Sequence, residues 1–297
     1  MSAAAAERPP HGSDSPADPA ADPHAPHIEM MRVGGRMLRV AVFYARDRQG
    51  AAPRRPILFF NGIGANIEIM APLAQWLPDQ DIITFDMPGV GGSPDPRFPY
   101  RPWTMALRAT RLLDKLGYRG KVDVMGVSWG GGLAQQFAFQ HPDRTGKLVL
   151  CATAAGVLMA PGDPRVLVKM ADPRRYVDPS YMQANFHALY GDAHAADGHV
   201  SRLRPPSQKG YLFQLGAMLG WTSAFYLPFL KARTLVLMGE QDRIVPMING
   251  KLLARLIPHA TLKTVPGGHL FLVSRPAETF PIIEDFLGGD DAPASPL

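Results

Sequence analysis

The sequence predicts an α/β architecture for this chain of 297 residues: a mainly parallel central sheet, helices on both faces and an inserted helical segment. Three observations carry that expectation. The short runs ILFF (57–60) and IITF (82–85) have the character of strands buried on both faces, as a sheet covered from two sides requires. Strand-like and helix-like stretches then alternate on either side of a long irregular middle, the rhythm of parallel β-α units. Between 157 and 230 that alternation stops, and prolines such as Pro161, Pro173 and Pro205 stand between short helical patterns. A connection so long must carry structure of its own.

The elements follow in order. Residues 1–27 are rich in Ala, Pro, Asp, Ser and His and have no apolar stretch of the roughly 7–15 residues that a secretory signal needs, so a disordered tail is expected. RMLRVAVFYAR after Gly34-Gly35 predicts an antiparallel hairpin over 30–46. ILFF stops at the loop Asn61-Gly62-Ile63-Gly64-Ala65-Asn66, and a helix is expected over 67–77. The strand 82–85 runs into the glycine-rich 86–93, followed by a helix over 102–116, a strand near 122–127 and a helical pattern over 133–139. A further strand covers 147–153; beyond the insert come a strand at 234–239, a helix at 247–257, a strand at 261–265 and a helix at 276–287. The core is therefore expected at 28–156 and 231–289, the helical insert at 157–230, and a flexible tail at 290–297.

Composition narrows the function. Hydrophobic residues make up 46% and charged residues 19%, below the roughly 25% charged of ordinary soluble proteins, which suits a sizeable core and an apolar binding surface. The net charge of +5 is scattered, with no run of basic residues, so nucleic acid is not an expected partner. Nothing approaches the roughly 18 consecutive apolar residues of a membrane span. The single cysteine, Cys151, ends the apolar run 148–150 and reads as a buried core thiol; it excludes an internal disulfide.

The chemistry concentrates at residues 121–141. Gly126-Val127-Ser128-Trp129-Gly130 is G-x-S-x-G placed between a strand and a helix, the context in which that motif makes a nucleophile elbow. The bland alternative is a tight turn that happens to carry a serine. A serine needs a base, and the base an orienting acid. Asp242 directly follows the strand at 234–239, and His269 follows the next strand through Gly267-Gly268, giving the order Ser, acid, His of the α/β-hydrolases. Glu240 stands as the rival acid. Asp86 precedes the elbow and reads as closing its glycine-rich loop; His141 precedes Pro142 at a helix end. His194 and His199, interleaved with Asp192 and Asp197, lack a helical register for a metal, and His11, His24 and His27 are irregularly spaced. No metal or other cofactor is expected. The oxyanion donors are expected to be the backbone N–H groups of Trp129 and of Ile63.

FFNGIGAN (59–66), FDMPGVGGS (85–93), GVSWGGGLAQQFA (126–138), CATAAG (151–156), DPRRY (172–176), LGWTS (219–223) and GGHLFLVSRP (267–276) together resemble the intracellular depolymerases of medium-chain-length polyhydroxyalkanoates. The resemblance runs from about Met30 to Leu287; the long N-terminal tail departs from it. It implies a cytoplasmic serine hydrolase that acts on stored poly(3-hydroxyalkanoate) at the granule surface and releases 3-hydroxyacids, with the triad on Ser128, Asp242 and His269. Met159, Phe213, Met218, Trp221 and Phe225 of the insert are candidate linings of an acyl channel, although such residues at helical spacing equally serve plain packing. Two other readings stay open: a carboxylesterase or lipase with the same triad, and a non-catalytic granule-surface or ligand-binding protein of the same fold.

Overall fold

The structure is a computed structural model that describes residues 25–46, 54–172, 174–191, 198 and 201–289. Apart from residues 25–27, the tails expected at 1–27 and 290–297 lie outside the described residues, as do Asp192, His194, Asp197 and His199. The described residues form a sheet of eight strands in the order β1-β2-β4-β3-β5-β6-β7-β8. β1 (His27–Val33) and β2 (Arg36–Phe43) form the antiparallel hairpin, and β2 lies antiparallel to β4 (Ile82–Phe85). β3 (Ile57–Phe60), β5 (Val122–Val127), β6 (Thr145–Cys151), β7 (Thr234–Gly239) and β8 (Ala260–Val265) continue the sheet in parallel. β1 starts at His27, earlier than the alternation suggests, because its first residues pair with β2 (His27 opposite Val42) while their side chains face solvent and carry no burial period. Among the described residues β8 closes the far edge, with β7 as its only strand neighbour and most of its side chains at least partly exposed.

The period of two sorts each central strand onto two cores. Leu58 and Phe60 join Val124, Leu150 and Val236 on the face covered by α2 (Pro102–Lys115) and α3 (Trp129–Gln140), where Phe137 meets Phe60 at 6.1 Å between ring centroids. Ile57 and Phe59 join Met125, Val149 and Leu237 on the other face, under α1 (Ile67–Ala74) and Phe280 and Ile283 of the terminal helix. α1 ends before Leu77 because residues 76 and 77 bond three residues back, a tightened last turn.

Between β6 and β7 the chain folds into α4 (Pro164–Ala171), α5 (Arg174–Val177), α6 (Pro179–Tyr190) and α7 (Gln208–Ala217). Two of the prolines that break the sequence pattern are helix starters: Pro164 and Pro179 occupy the first turn directly after Asp163 and Asp178, whose carboxylates accept first-turn N–H groups. Buried glutamines of α3 tie this insertion to the core. Trp221 Nε1 donates to Gln136 at 2.9 Å, Ser223 Oγ to Gln135 at 2.5 Å, and Gln135 Nε2 to the Ala154 carbonyl at 3.1 Å. Beyond β7 lie α8 (Met247–Leu256), α9 (Phe271–Ser274) and α10 (Pro276–Gly288). Among the described residues no helix is long and apolar enough to cross a membrane.

Asp86, fully buried after β4, is the hub of the loops beside the elbow. It accepts the N–H of Ile67 at 2.8 Å and of Gly92 at 2.9 Å, and Arg39 Nη1 at 3.2 Å. Burial pushes its carboxyl up; the two amides and Arg39 oppose that shift. Arg39 also pairs with Glu68 at 2.8 Å, and Arg204 of the insertion reaches the same carboxylate at 2.9 Å. For Glu68, burial works upward, but the hydrogen bonds from Arg39 and Asn66 outweigh it and bring the pKa from 4.5 to about 2. Since the folded-state value is depressed, the stabilisation is present above pH 4.5 and is lost as the pH falls toward 2. Glu68 is partly exposed, so solvent screening limits the effect. Glu68→Gln is expected to lower stability by about 1 kcal/mol at pH 7 and by progressively less in acid, measured by urea unfolding at pH 7 and at about pH 4; a loss independent of pH would contradict the ion-pair account.

Candidate active site

β5 delivers Ser128 onto a turn that L-residues avoid, with φ 53° and ψ −119°, a conformation costing of order 1–3 kcal/mol. The surroundings enforce it. Ser128 N donates to the Cys151 carbonyl at 2.9 Å, and Ser128 O accepts from Gly131 N at 2.9 Å and from Thr153 Oγ1 at 2.7 Å. The flanking glycines admit no side chain. A Cβ at Gly126 would stand 2.4 Å from the Gly130 carbonyl oxygen, and one at Gly130 would stand 2.2 Å from the Phe60 oxygen. Strand, elbow helix and the β3 loop thus meet backbone to backbone.

Ser128 Oγ lies 2.9 Å from His269 Nε2, and His269 Nδ1 lies 2.8 Å from Asp242 Oδ2. The second carboxylate oxygen of Asp242 accepts the N–H groups of Ile244 and Val245, both at 2.9 Å. An acidic acceptor at Nδ1 places the ring proton there and turns the Nε2 lone pair toward the serine hydroxyl. Asp242 and His269 are both buried, so this chain is shielded from water. Gln241 straps the two loops together: its N–H donates to the Gly267 carbonyl at 2.9 Å, and its side-chain oxygen accepts Gly267 N–H. Glu240, the rival acid, is exposed and accepts from Thr264 Oγ1 at 3.2 Å instead. Cys151 is buried under the elbow, and burial pushes its thiol well up.

The Asn61–Asn66 loop packs on the elbow; a Cβ at Gly62 would stand 3.9 Å from Ser128 Cβ. Trp129 opens α3, so its N–H belongs to the first turn, where no helical carbonyl is available to it. Ser128, His269 and Ile63 line a cavity of about 80 Å³, together with Met170, Met182 and Leu203 of the insertion. Arg175 and Tyr176 line it too. Arg175 is 3% exposed and donates to the hydroxyls of Tyr176, Tyr190 and Tyr211, the last two at 3.2 Å. Burial opposes its charge, but the surrounding tyrosine oxygens hold its pKa above the ordinary value.

None of the five expected channel residues lines this cavity. Met218 and Trp221 stand 3.0 and 3.1 Å from where a Cβ of Gly132 would sit, packed on α3. Met159 and Phe213 lie partly buried on the core, and Phe225 is 77% exposed. Met218 and Trp221 lie on the insertion's seam with the core, while α4, α5, α6 and Leu203 supply the cavity. Arg175 and Tyr176 fall in the motif DPRRY, but nothing in their spacing marked them as facing the serine.

The α/β hydrolase fold family matches residues 55–197. A poly(3-hydroxyalkanoate) depolymerase of Ectopseudomonas oleovorans is 50% identical over 246 residues, 81% of this chain and 87% of that protein. The chain belongs to the poly(3-hydroxyalkanoate) depolymerase family of α/β-hydrolases. It is an ester hydrolase. Among solved structures, a hydrolase from Pseudomonas aeruginosa PA01 superposes with a TM-score of 0.71 at 23% identity, over 88% of this chain and 98% of that one. A thermophilic esterase from Thermogutta terrifontis gives the same TM-score, identity and coverage; both likenesses concern the fold alone.

The two carboxylates beside β7 separate in a direct test. Asp242→Asn is expected to lower kcat on p-nitrophenyl octanoate by roughly 10³–10⁴-fold through the wrong imidazole tautomer, whereas Glu240→Gln stays within about threefold of wild type. The reverse ranking would transfer the acid role to Glu240.

Proposed function

We propose that this enzyme hydrolyses the ester links of intracellular medium-chain-length poly(3-hydroxyalkanoate) through an acyl-serine intermediate. The observation that carries the reading is the unbroken hydrogen-bond chain from Ser128 Oγ through His269 to Asp242 at the wall of an apolar cavity. The half-identical depolymerase supports the polyester as substrate.

In the reaction His269 Nε2 takes the Ser128 proton as Oγ attacks the ester carbonyl. Asp242 keeps the imidazole in register and stabilises the imidazolium. The N–H groups of Ile63 and Trp129 receive the charge that develops on the carbonyl oxygen. His269 then gives its proton to the departing 3-hydroxyl group, and the C–O bond breaks. Water, deprotonated by the same nitrogen, attacks the acyl-Ser128 carbonyl; His269 returns the proton to Oγ as the acyl C–O bond breaks, and the acid is released.

The substrate's alkyl branches suit the cavity wall of Met170, Met182, Leu203 and Leu272, where each buried methylene contributes about 0.8 kcal/mol. In this reading the insertion over 157–230 acts as a cap, since three of those four side chains come from it. Its outer surface carries Leu212, Leu219, Phe225 and Phe229, each more than half exposed, a composition suited to resting on a hydrophobic granule in the cytoplasm.

Wild-type enzyme is expected to release 3-hydroxyacids from amorphous medium-chain granules faster than from short-chain granules, and Ser128→Ala to release none while keeping its circular dichroism spectrum. Cleavage of p-nitrophenyl octanoate with both polymers left intact would leave a general carboxylesterase, and hydrolysis by Ser128→Ala would remove the serine mechanism.

A further inference from the structure

We propose that the cap sets the oxyanion hole, with Gln214 and Tyr176 as the positioning residues; this rests on the serine-hydrolase reading above. The peptide unit that joins Ile63 to Gly64 is gripped at both ends by the cap. At one end Tyr176, on α5, donates its hydroxyl proton to the Ile63 carbonyl at 2.9 Å. At the other end Gln214, on α7, accepts the Gly64 N–H on its side-chain oxygen at 2.9 Å. A peptide plane held at its oxygen and its nitrogen cannot rotate freely, and the N–H of Ile63, in the neighbouring plane one Cα away, projects from the segment that this clamp restrains. The fit leaves no slack. Gly64 has φ +66°, and a Cβ there would stand 2.2 Å from the Tyr176 hydroxyl oxygen.

The same glutamine reaches the other half of the hole. Trp129 Nε1 donates to the Gln214 backbone carbonyl at 3.0 Å. That carbonyl is available because Met218 N–H, which an undisturbed helix would direct to it, bonds to Leu215 O at 3.2 Å instead. Both residues assigned as oxyanion donors are therefore tied, directly or through the next residue, to one fully buried side chain of α7 and its own carbonyl. Tyr176 is itself steadied by the guanidinium of Arg175, which donates to its hydroxyl and lies 4.0 Å from its ring centroid.

Space filling does not account for a glutamine at 214. Its Nε2 is buried and has no acceptor among the described residues. An unsatisfied buried amide is destabilising, and a leucine would fill the site without it. What leucine lacks is the acceptor for Gly64 N–H. The oxyanion hole is then a joint product of core and cap, complete only while α5 and α7 are seated.

The test compares full-length wild type, Gln214→Leu, Gln214→Glu and Tyr176→Phe on p-nitrophenyl octanoate. Gln214→Leu and Tyr176→Phe are expected to lose on the order of 10- to 100-fold in kcat, below the loss for deleting an oxyanion donor outright, with KM within about threefold of wild type. An alkyl trifluoromethyl ketone, which adds reversibly to the serine and seats its oxyanion in the hole, should weaken as an inhibitor in parallel with kcat/KM. Gln214→Glu, which keeps an oxygen toward Gly64, should recover most of the loss. Tyr176→Phe removes a single oxygen and tests the idea even if the Gln214 variants fold poorly. A kcat within about twofold of wild type in Tyr176→Phe and Gln214→Leu, or an unchanged ketone affinity, would show that the core sets the hole alone. A wild type without esterase activity would instead remove the serine-hydrolase reading and this proposal with it.

Discussion

The close approach of three backbone segments at the elbow is the constraint on which the rest of the structure depends. Ser128 holds a positive φ only because β5, α3 and the loop after β3 are packed without intervening side chains at Gly126 and Gly130. Give either position a Cβ and α3 must move away from the sheet, taking with it the Phe137–Phe60 contact and the buried glutamines that anchor the insertion. The strain at one residue is thus distributed over both cores, which is how a conformation that unfavourable persists.

The polar interior is organised around loops rather than around the sheet. Asp86 holds the start of α1 and the glycine-rich loop, Gln241 joins the loops after β7 and β8, and Gln214 joins the insertion to the loop after β3. Each is a short-range solution to a backbone N–H that lies beyond a strand end and has no ladder partner. Such bonds let the strand termini keep irregular shapes at the edge where Ser128, Asp242 and His269 meet.

The sheet was legible because burial on both faces leaves a plain signature. ILFF and IITF can be little else, and Ser128, Asp242 and His269, which the structure joins by hydrogen bonds, each follow a strand in the sequence. What stayed hidden has physical causes. The first turn of α3 is glycine-rich, and glycine is a poor helix former, so the helix shows in the pattern only from Leu133 although it begins at Trp129. The cavity walls were misplaced because a Met-rich, aromatic stripe looks the same whether it faces a substrate or a neighbouring helix. Trp221 and Met218 face α3, and Met170 and Met182 face the serine. Only the three-dimensional path of the insertion distinguishes them. Arg175 and Tyr176 act through neighbours far away in sequence, Tyr190, Tyr211 and Ile63, so no local pattern could reveal them.

The position of β8 has a consequence for how this molecule fails. His269 is carried by the loop after β8, which among the described residues has one strand neighbour and mostly partly exposed side chains. Edge elements of this kind open in sub-global fluctuations that leave the central strands intact. Under heat or denaturant, then, the proposed catalysis would depend on the opening of this edge rather than on unfolding of the central strands. Loss of activity is therefore expected before collapse of the sheet, and an inactive molecule would regain function by reseating one strand rather than by refolding the whole chain.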